Sequence, residues 1–228
     1  LAEKYYNISP YAYCKNNPIR YIDLHGDSIS VAEEHREQFN NSLNSVFGNY
    51  SKNFSYTSTG MLTYSGSTKG MTGDQKATLK GMTKVMNEST TTNVVYGEST
   101  QITDNNGNTI TLNASAGGGA FTALVSENSN LSQNTILIDP SISQFTVNKV
   151  TSVYYIMPID PANGDRFIPT TIQTNVNDAT FHEFGHVIYQ GQTQDKIIDF
   201  NNRVRKILNL PKRPYDETHN RNVLKTNY

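Results

Sequence analysis

The chain has 228 residues, 36% hydrophobic and 17% charged, which suits one sizeable domain with a short appendage. Its formal net charge of −1 gives no reason to expect nucleic acid or an anionic membrane surface as a partner. The single cysteine, Cys14, excludes an internal disulfide, and no apolar run approaches the roughly 18 residues of a transmembrane helix.

Residues 1–27 differ in composition from the rest of the chain. Tyrosines crowd together with prolines and asparagines, which is typical of strands and turns, yet the segment is too short to bury its own core. Residues 1–4 do not form a signal peptide and lack an initiator Met. We therefore expect a longer protein, with any export signal upstream.

The next third of the chain predicts two helices separated by a hairpin. Apolar residues recur at helical spacing from residue 28 to Gly48, which predicts the first helix. Residues 53–66 alternate apolar, Thr and Tyr side chains, and Gly60 lies at the predicted turn. The second helix, over residues 74–86, is short and amphipathic.

β-Structure dominates the middle of the chain. Residues 92–96, 135–138 and 153–157 predict strands, and the second of these reads as buried because it is largely apolar. Residues 101–112 predict a hairpin that turns at the Asn-Asn-Gly-Asn sequence of residues 105–108. The three consecutive glycines that follow lack the Lys and Ser/Thr of a phosphate-binding loop, so we expect an ordinary loop there.

The C-terminal part predicts two more helices. The first covers residues 176–190, with Asn175 or Asn177 as its N-cap and Gly191 just past its end. The second covers residues 194–208 and ends before a proline.

His182, Glu183 and His186 form a His-Glu-x-x-His motif on the first of these helices. A spacing of four residues places both imidazoles on one helical face, where they can share a metal ion. We predict Zn²⁺ as the cofactor and Glu183 as the general base and acid of a hydrolytic reaction. Gly185 weakens the helix by about 1 kcal/mol relative to Ala, so we expect another element to pack closely against that turn.

The third zinc ligand has several candidates. Tyr189 and Gln192 stand where a metzincin carries Gly and then His or Asp, which excludes that class. We take Asp195 as the third ligand. The other candidates that remain are Asp199, Gln194 and His219.

A helical wheel of residues 194–208 divides these candidates into two groups. Asp195 and Asp199 fall away from the apolar stripe, whereas Gln194 and Asn201 fall near it. A solvent-exposed face is therefore an equally good interpretation of both aspartates.

Residues outside the two C-terminal helices supply weaker candidates. His219 lies in a polar segment, where an exposed tail residue is the more common interpretation. Tyr215, in the same segment, can donate a hydrogen bond to a developing oxyanion. His25 and His35 lie in other predicted elements, and we assign them no role.

A signature near the N-terminus consists of Ser-Pro-Tyr-Ala-Tyr at 9–13, Asn-Asn-Pro at 16–18 and Tyr-Ile-Asp at 21–23. Residues 1–26, which contain it, resemble the end of the Rhs-repeat-associated core. In that family this segment closes a β-cocoon shell, and a variable toxin domain follows it. The resemblance implies that residues 1–27 are the tail of the core and that residues 28–228 are an effector domain.

Residues 130–215, which include the His-Glu-Phe-Gly-His helix, look like the zincin-type metallopeptidase effectors found as toxin tips. In those proteins the helix after the motif carries Glu near the positions of Gln194 and Asn201, which are amides here. The Asp-x-x-x-Asp pattern also resembles the Glu-x-x-x-Asp of thermolysin-like enzymes. That resemblance implies Asp195 as a ligand and Asp199 as the partner of a ligand histidine.

We therefore predict an α+β fold with a zincin-like metallopeptidase core: a twisted, mostly antiparallel sheet, an active-site helix and a C-terminal helix. The predicted function is zinc-dependent peptide-bond hydrolysis by the effector tip of an Rhs-type bacterial toxin, secreted or delivered into a target cell. Expected partners are a protein or peptide substrate, a cognate immunity protein and the upstream Rhs shell, with neither nucleic acid nor membrane. The alternatives are a zinc-binding inactive tip, a hydrolase of another amide, and a non-enzymatic interaction or adhesion module.

Overall fold

The computed structural model describes residues 29–150 and 167–214, which form α-helices and β-strands in a mixed α+β arrangement. The helices are α1 (Glu33–Phe47), α2 (Gly73–Met86), α3 (Val176–Ile188) and α4 (Gln194–Ile207). The strands are β1 (Ile29–Val31), β2 (Phe54–Tyr56), β3 (Leu62–Tyr64), β4 (Thr92–Tyr96), β5 (Ser99–Thr103), β6 (Thr109–Asn113), β7 (Ala120–Ala123), β8 (Asn134–Ile138), β9 (Gln144–Val150) and β10 (Phe167–Gln173). The predicted Rhs-like tail and the strand predicted at 153–157 lie outside the described residues.

A four-stranded sheet with the order β1-β4-β8-β7 forms the centre of the fold. β4 is parallel to both β1 and β8, whereas β7 is antiparallel to β8. The prediction of a mostly antiparallel sheet is therefore wrong for this sheet, although the three two-stranded sheets of the described residues are antiparallel. Side-chain periodicity does not report strand direction, and the long connections between these strands permit parallel pairing.

Side chains of the central strand β8 separate two hydrophobic cores. Every residue of β8 is buried, as the apolar run predicts. Ile136 and Ile138 belong to the main core with the helices, whereas Leu137 belongs to a smaller core with Leu112 of the β5–β6 hairpin. The alternation follows from the two-residue period of a strand, so helices cover one face of the sheet and the hairpin covers the other.

Both hairpins predicted from the sequence are confirmed, whereas the predicted start of the first helix is wrong. The β2–β3 hairpin turns at Gly60, which has a φ of +85°, and the β5–β6 hairpin turns at residues 104–108. The first helix begins at Glu33 rather than residue 28, because β1 pairs with β4 instead. Val31 therefore belongs to the sheet.

Helix α3 lies at the centre of the helical layer and contacts α1, α2, α4, β7 and β8. Its residues Phe181, Phe184 and Val187 are fully buried. A Cβ added at Gly185 would lie 2.9 Å from Cγ2 of Ile197 in α4, which confirms the predicted close packing at that turn. Along the described ranges, no helix combines the length and the hydropathy that a bilayer span requires.

Candidate metal centre

The helix that carries the motif begins at a well-formed cap. Asn175 is the N-cap, and its Oδ1 accepts a hydrogen bond of 3.0 Å from the backbone N–H of Asp178. This side chain satisfies one of the N–H groups that have no partner within the helix. The hydrogen bond identifies Asn175, and not Asn177, as the N-cap.

His182, Glu183 and His186 form a compact cluster on α3. One ligand atom from each of the three side chains lies within 4.8 Å of the others. The two imidazole rings have centroids 5.0 Å apart and are nearly perpendicular, at 88°. Imidazole nitrogen and carboxylate oxygen are donors that Zn²⁺ prefers, so the residues present fit a zinc ion.

Glu183 is a buried carboxylate, only 4% exposed. Its Oε2 accepts a hydrogen bond of 2.6 Å from the hydroxyl of Thr122 on β7. Burial raises the pKa of Glu183 from 4.5 to about 7, and the Thr122 hydroxyl and the nearby charge of Arg213 oppose that rise. The carboxyl group can therefore take up and release a proton near neutral pH.

Asp178 lies one turn before His182 and is held by several donors. Its carboxylate accepts hydrogen bonds from the Thr174 hydroxyl at 2.7 Å and from the Asn201 amide at 2.8 Å. It also forms a buried ion pair with Arg205 of α4.

Arg205 further donates to the backbone oxygens of Gln173 and Pro211, at 2.8 and 2.6 Å. This network fixes the first turn of α3 against α4 and the segment that follows α4.

Arg213 brings a second buried guanidinium into the site. Its Nη1 lies 3.1 Å from Nδ1 and 3.0 Å from Nε2 of His182. Asn202 of α4 holds the backbone of Arg213 at both polar groups: its Oδ1 accepts from Arg213 N at 2.6 Å, and its Nδ2 donates to Arg213 O at 3.0 Å. The placement of the guanidinium therefore depends on α4.

A small cavity of about 20 Å³ lies beside the cluster, which is enough for about one water molecule. His182, Glu183 and Arg213 contribute to its polar lining, and Gly117 and Gly118 contribute to the remainder. The triple-glycine loop of the sequence thus borders the site.

The exposed aspartates of α4 do not join the cluster. Asp195 is exposed at the first turn of α4, and Asp199 is exposed and lines a separate surface groove with Asp74 and Lys206. In the part of the chain that the structure describes, no further His, Cys, Asp or Glu completes the cluster. Asp195 is therefore not supported as the third ligand, because the apolar stripe of α4 packs on α3 and turns this residue to solvent.

The other residues that the sequence analysis singled out have different outcomes. Asn201 is buried, as the helical wheel predicts, and it binds Asp178. Gln194 is half-buried, and its Nε2 has no hydrogen-bond partner among the described residues. His219 and Tyr215 lie outside the described residues.

Sequence reasoning missed four residues that shape the site: Thr122, Asp178, Arg205 and Arg213. Two of them carry a local signal. Asp178 precedes His182 by four residues on the same helical face, and Arg205 is a charged residue within the buried side of α4. Thr122 and Arg213 carry none, since they lie 61 and 31 residues from their partners in the sequence.

Comparison with known proteins does not assign the chain to a family. No family model matches it, and neither a curated protein nor a solved structure shows significant similarity. The function therefore has to be argued from the geometry of the site.

Proposed function

We propose that this chain is a zinc-dependent hydrolase of the zincin type that cleaves peptide bonds. One observation carries the proposal: His182, Glu183 and His186 converge on a buried helix, with their ligand atoms within 4.8 Å of one another. Two imidazoles with an adjacent carboxylate provide metal binding and proton transfer at the same place.

The residues of the chain account for each proton transfer of hydrolysis. When bound, Zn²⁺ supplies a positive charge that polarises a carbonyl group and lowers the pKa of a water to roughly 7. Glu183 accepts a proton from the attacking water and donates it to the amide nitrogen as the carbon–nitrogen bond breaks. Burial raises the pKa of Glu183 in the metal-free chain, and Thr122 restricts the rotation of the carboxylate through Oε2.

The position of β7 supports a peptide substrate. Among the described residues, β7 is one of the two edge strands of the central sheet, and its Thr122 contacts Glu183. An extended peptide that pairs with this edge lies beside the reacting carboxylate. We propose that the substrate is a protein of a target cell and that the chain acts as the tip of an Rhs-like secreted or delivered toxin. In that setting a cognate immunity protein and the upstream Rhs shell are its partners.

Metal analysis combined with a protease assay tests the proposal. The purified chain should bind one zinc ion, and His182→Ala and His186→Ala should each lose it. Glu183→Gln should retain zinc but lose about 10²–10⁴-fold in the rate of cleavage of an unfolded protein substrate, the range of a general base. If Glu183→Gln cleaves as fast as the wild type, Glu183 is not the base and the proposed mechanism fails.

A second candidate function is a zinc-binding tip without catalytic activity. Two observations favour it: Asn201 is engaged by Asp178, and Asp195 is exposed. A two-histidine site without a strong third ligand binds the metal weakly and holds it poorly for catalysis. Stoichiometric zinc without turnover of any protein or peptide in a substrate library supports this candidate, whereas turnover on another amide identifies a hydrolase of a different bond.

A further inference from the structure

We infer that the buried positive charge of Arg213 competes with the metal at His182 and thereby lowers the zinc affinity of the site. The inference rests on the proposed zinc site. It assigns Arg213 as a determinant of metal affinity that the motif itself does not contain.

The competition follows from the contact between the two side chains. Arg213 Nη1 lies 3.1 Å from Nδ1 and 3.0 Å from Nε2 of His182, and a position nearly equidistant from both nitrogens lies over the face of the ring. A metal ion binds the neutral imidazole in the plane of the ring, at the lone pair of one nitrogen. The guanidinium therefore stands close beside the metal position without occupying it.

Burial and charge make simultaneous binding unfavourable. Arg213 is only 1% exposed, and a guanidinium keeps its positive charge inside a protein. Two cations in a site with little water repel each other more strongly than they do in solution. The adjoining cavity holds about one water molecule, so little water screens the two charges from each other.

Asn202 sets how strongly Arg213 competes. Its side-chain amide holds both backbone groups of Arg213, at 2.6 and 3.0 Å. The backbone is thus fixed before the metal arrives, and the guanidinium loses little freedom when it contacts His182. Loosening this clamp should weaken the competition without changing any charge.

Zinc affinity, measured in competition with a fluorescent chelator, tests the inference on the full chain. Arg213→Met should bind Zn²⁺ at least about 10-fold more tightly than the wild type, because a buried positive charge no longer opposes the metal. Asn202→Ala should bind about 3-fold more tightly. Lys212→Met removes the same charge at the adjacent exposed position, and it should stay within about 2-fold of the wild type.

Equal or weaker binding by Arg213→Met overturns the inference. If that variant does not fold, the guanidinium NMR signals of the wild type give the answer during a zinc titration. The Arg213 signal should shift in step with one equivalent of zinc, while the signal of Arg205, which pairs with Asp178, stays in place. An Arg213 signal that does not respond also overturns the inference.

The proposed function and this inference fail in different ways. If the wild type and Arg213→Met bind zinc no better than His182→Ala, the metal site itself is wrong and both fail. If the wild type binds zinc and cleaves peptides but Arg213→Met is no tighter, the function stands and the competition does not exist.

Discussion

Two buried carboxylates lie five residues apart on α3 and have different surroundings. Asp178 accepts hydrogen bonds from Thr174 and Asn201 and forms an ion pair with Arg205. Among the described residues, the carboxylate of Glu183 accepts a hydrogen bond from Thr122, and burial raises its pKa to about 7. Both side chains are less than 5% exposed, so burial alone does not distinguish them.

The difference lies in what surrounds each carboxylate. The first turn of α3 faces α4, which supplies an arginine and an amide to Asp178. Among the described residues, Glu183 receives a hydrogen bond from a hydroxyl of β7, and the charge of Arg213 lies nearby. Several donors and a guanidinium fix Asp178 in place, whereas burial with one neutral donor raises the pKa of Glu183. The same helix thus combines an anchoring carboxylate with the carboxylate that we propose as the base.

Removing the ion pair between Asp178 and Arg205 should have the largest effect on stability. Arg205→Met removes the countercharge of Asp178 and leaves a buried carboxylate without its ion-pair partner. We expect the free energy of unfolding to fall by about 3–5 kcal/mol. Urea denaturation in the presence of a chelator measures this loss independently of any bound metal.

The adjacent residue provides the control for that loss. Lys206 pairs with Asp74 at 2.8 Å, but its side chain is 77% exposed. Lys206→Met should therefore change the stability by less than about 1 kcal/mol. Equal losses in the two variants would show that the Asp178 pair is no more structural than a surface pair.

Glu183→Gln should stabilise the metal-free protein at high pH. The folded chain keeps the Glu183 proton up to about pH 7, whereas the unfolded chain releases it near pH 4.5. Stability of the wild type therefore falls as the pH rises from 4.5 to 7. A tenfold change in an acidity constant corresponds to about 1.4 kcal/mol, so the variant should gain about 3 kcal/mol at pH 8 and almost nothing near pH 4.5.

Urea denaturation at pH 5 and pH 8, with chelator present, measures the gain. Glu37→Gln removes a charge at an exposed position of α1 and controls for the change in net charge. A gain for Glu183→Gln that is the same at both pH values would contradict the assignment of Glu183 as a carboxylate with a raised pKa.

The cluster of His182, Glu183 and His186 could be predicted from the sequence because its geometry is local. Histidines four residues apart share a helical face in any α-helix, and Gly185 already indicates close packing. The strand at 135–138 and both hairpins also follow from residue periodicity and turn residues. The structure confirms these elements.

The ion pair of Asp178 and the contacts of Glu183 and His182 depend on residues that are far apart in the sequence. Thr122 reaches Glu183 across 61 residues, and Arg213 reaches His182 across 31, so no spacing rule identifies them. The parallel pairing of β4 also depends on how the helices cross over, which residue periodicity does not encode. The exposure of Asp195 likewise follows from the packing of α4, which the Asp-x-x-x-Asp pattern does not encode.

Gly185→Ala tests whether close packing against α4 stabilises the part of α3 that carries His182, Glu183 and His186. Alanine favours the helix by about 1 kcal/mol, but its Cβ would lie 2.9 Å from Cγ2 of Ile197. Overpacking should outweigh the helical gain, with a net loss of about 1–2 kcal/mol in urea denaturation. Gly73→Ala, at the start of α2, meets no atom within 4 Å and should show no loss.

Asp195→Asn should have the smallest effect of all. Asp195 is exposed at the start of α4 and lies outside the cluster of His182, Glu183 and His186. Zinc content and kcat/KM should therefore stay within about 2-fold of the wild type, as for most surface substitutions. Asp199→Asn, on the same exposed face, is the matched control. A loss of zinc in Asp195→Asn alone would mean that a third carboxylate reaches the metal. The carboxylates that act at the site would then include one from α4 as well as Glu183 of α3.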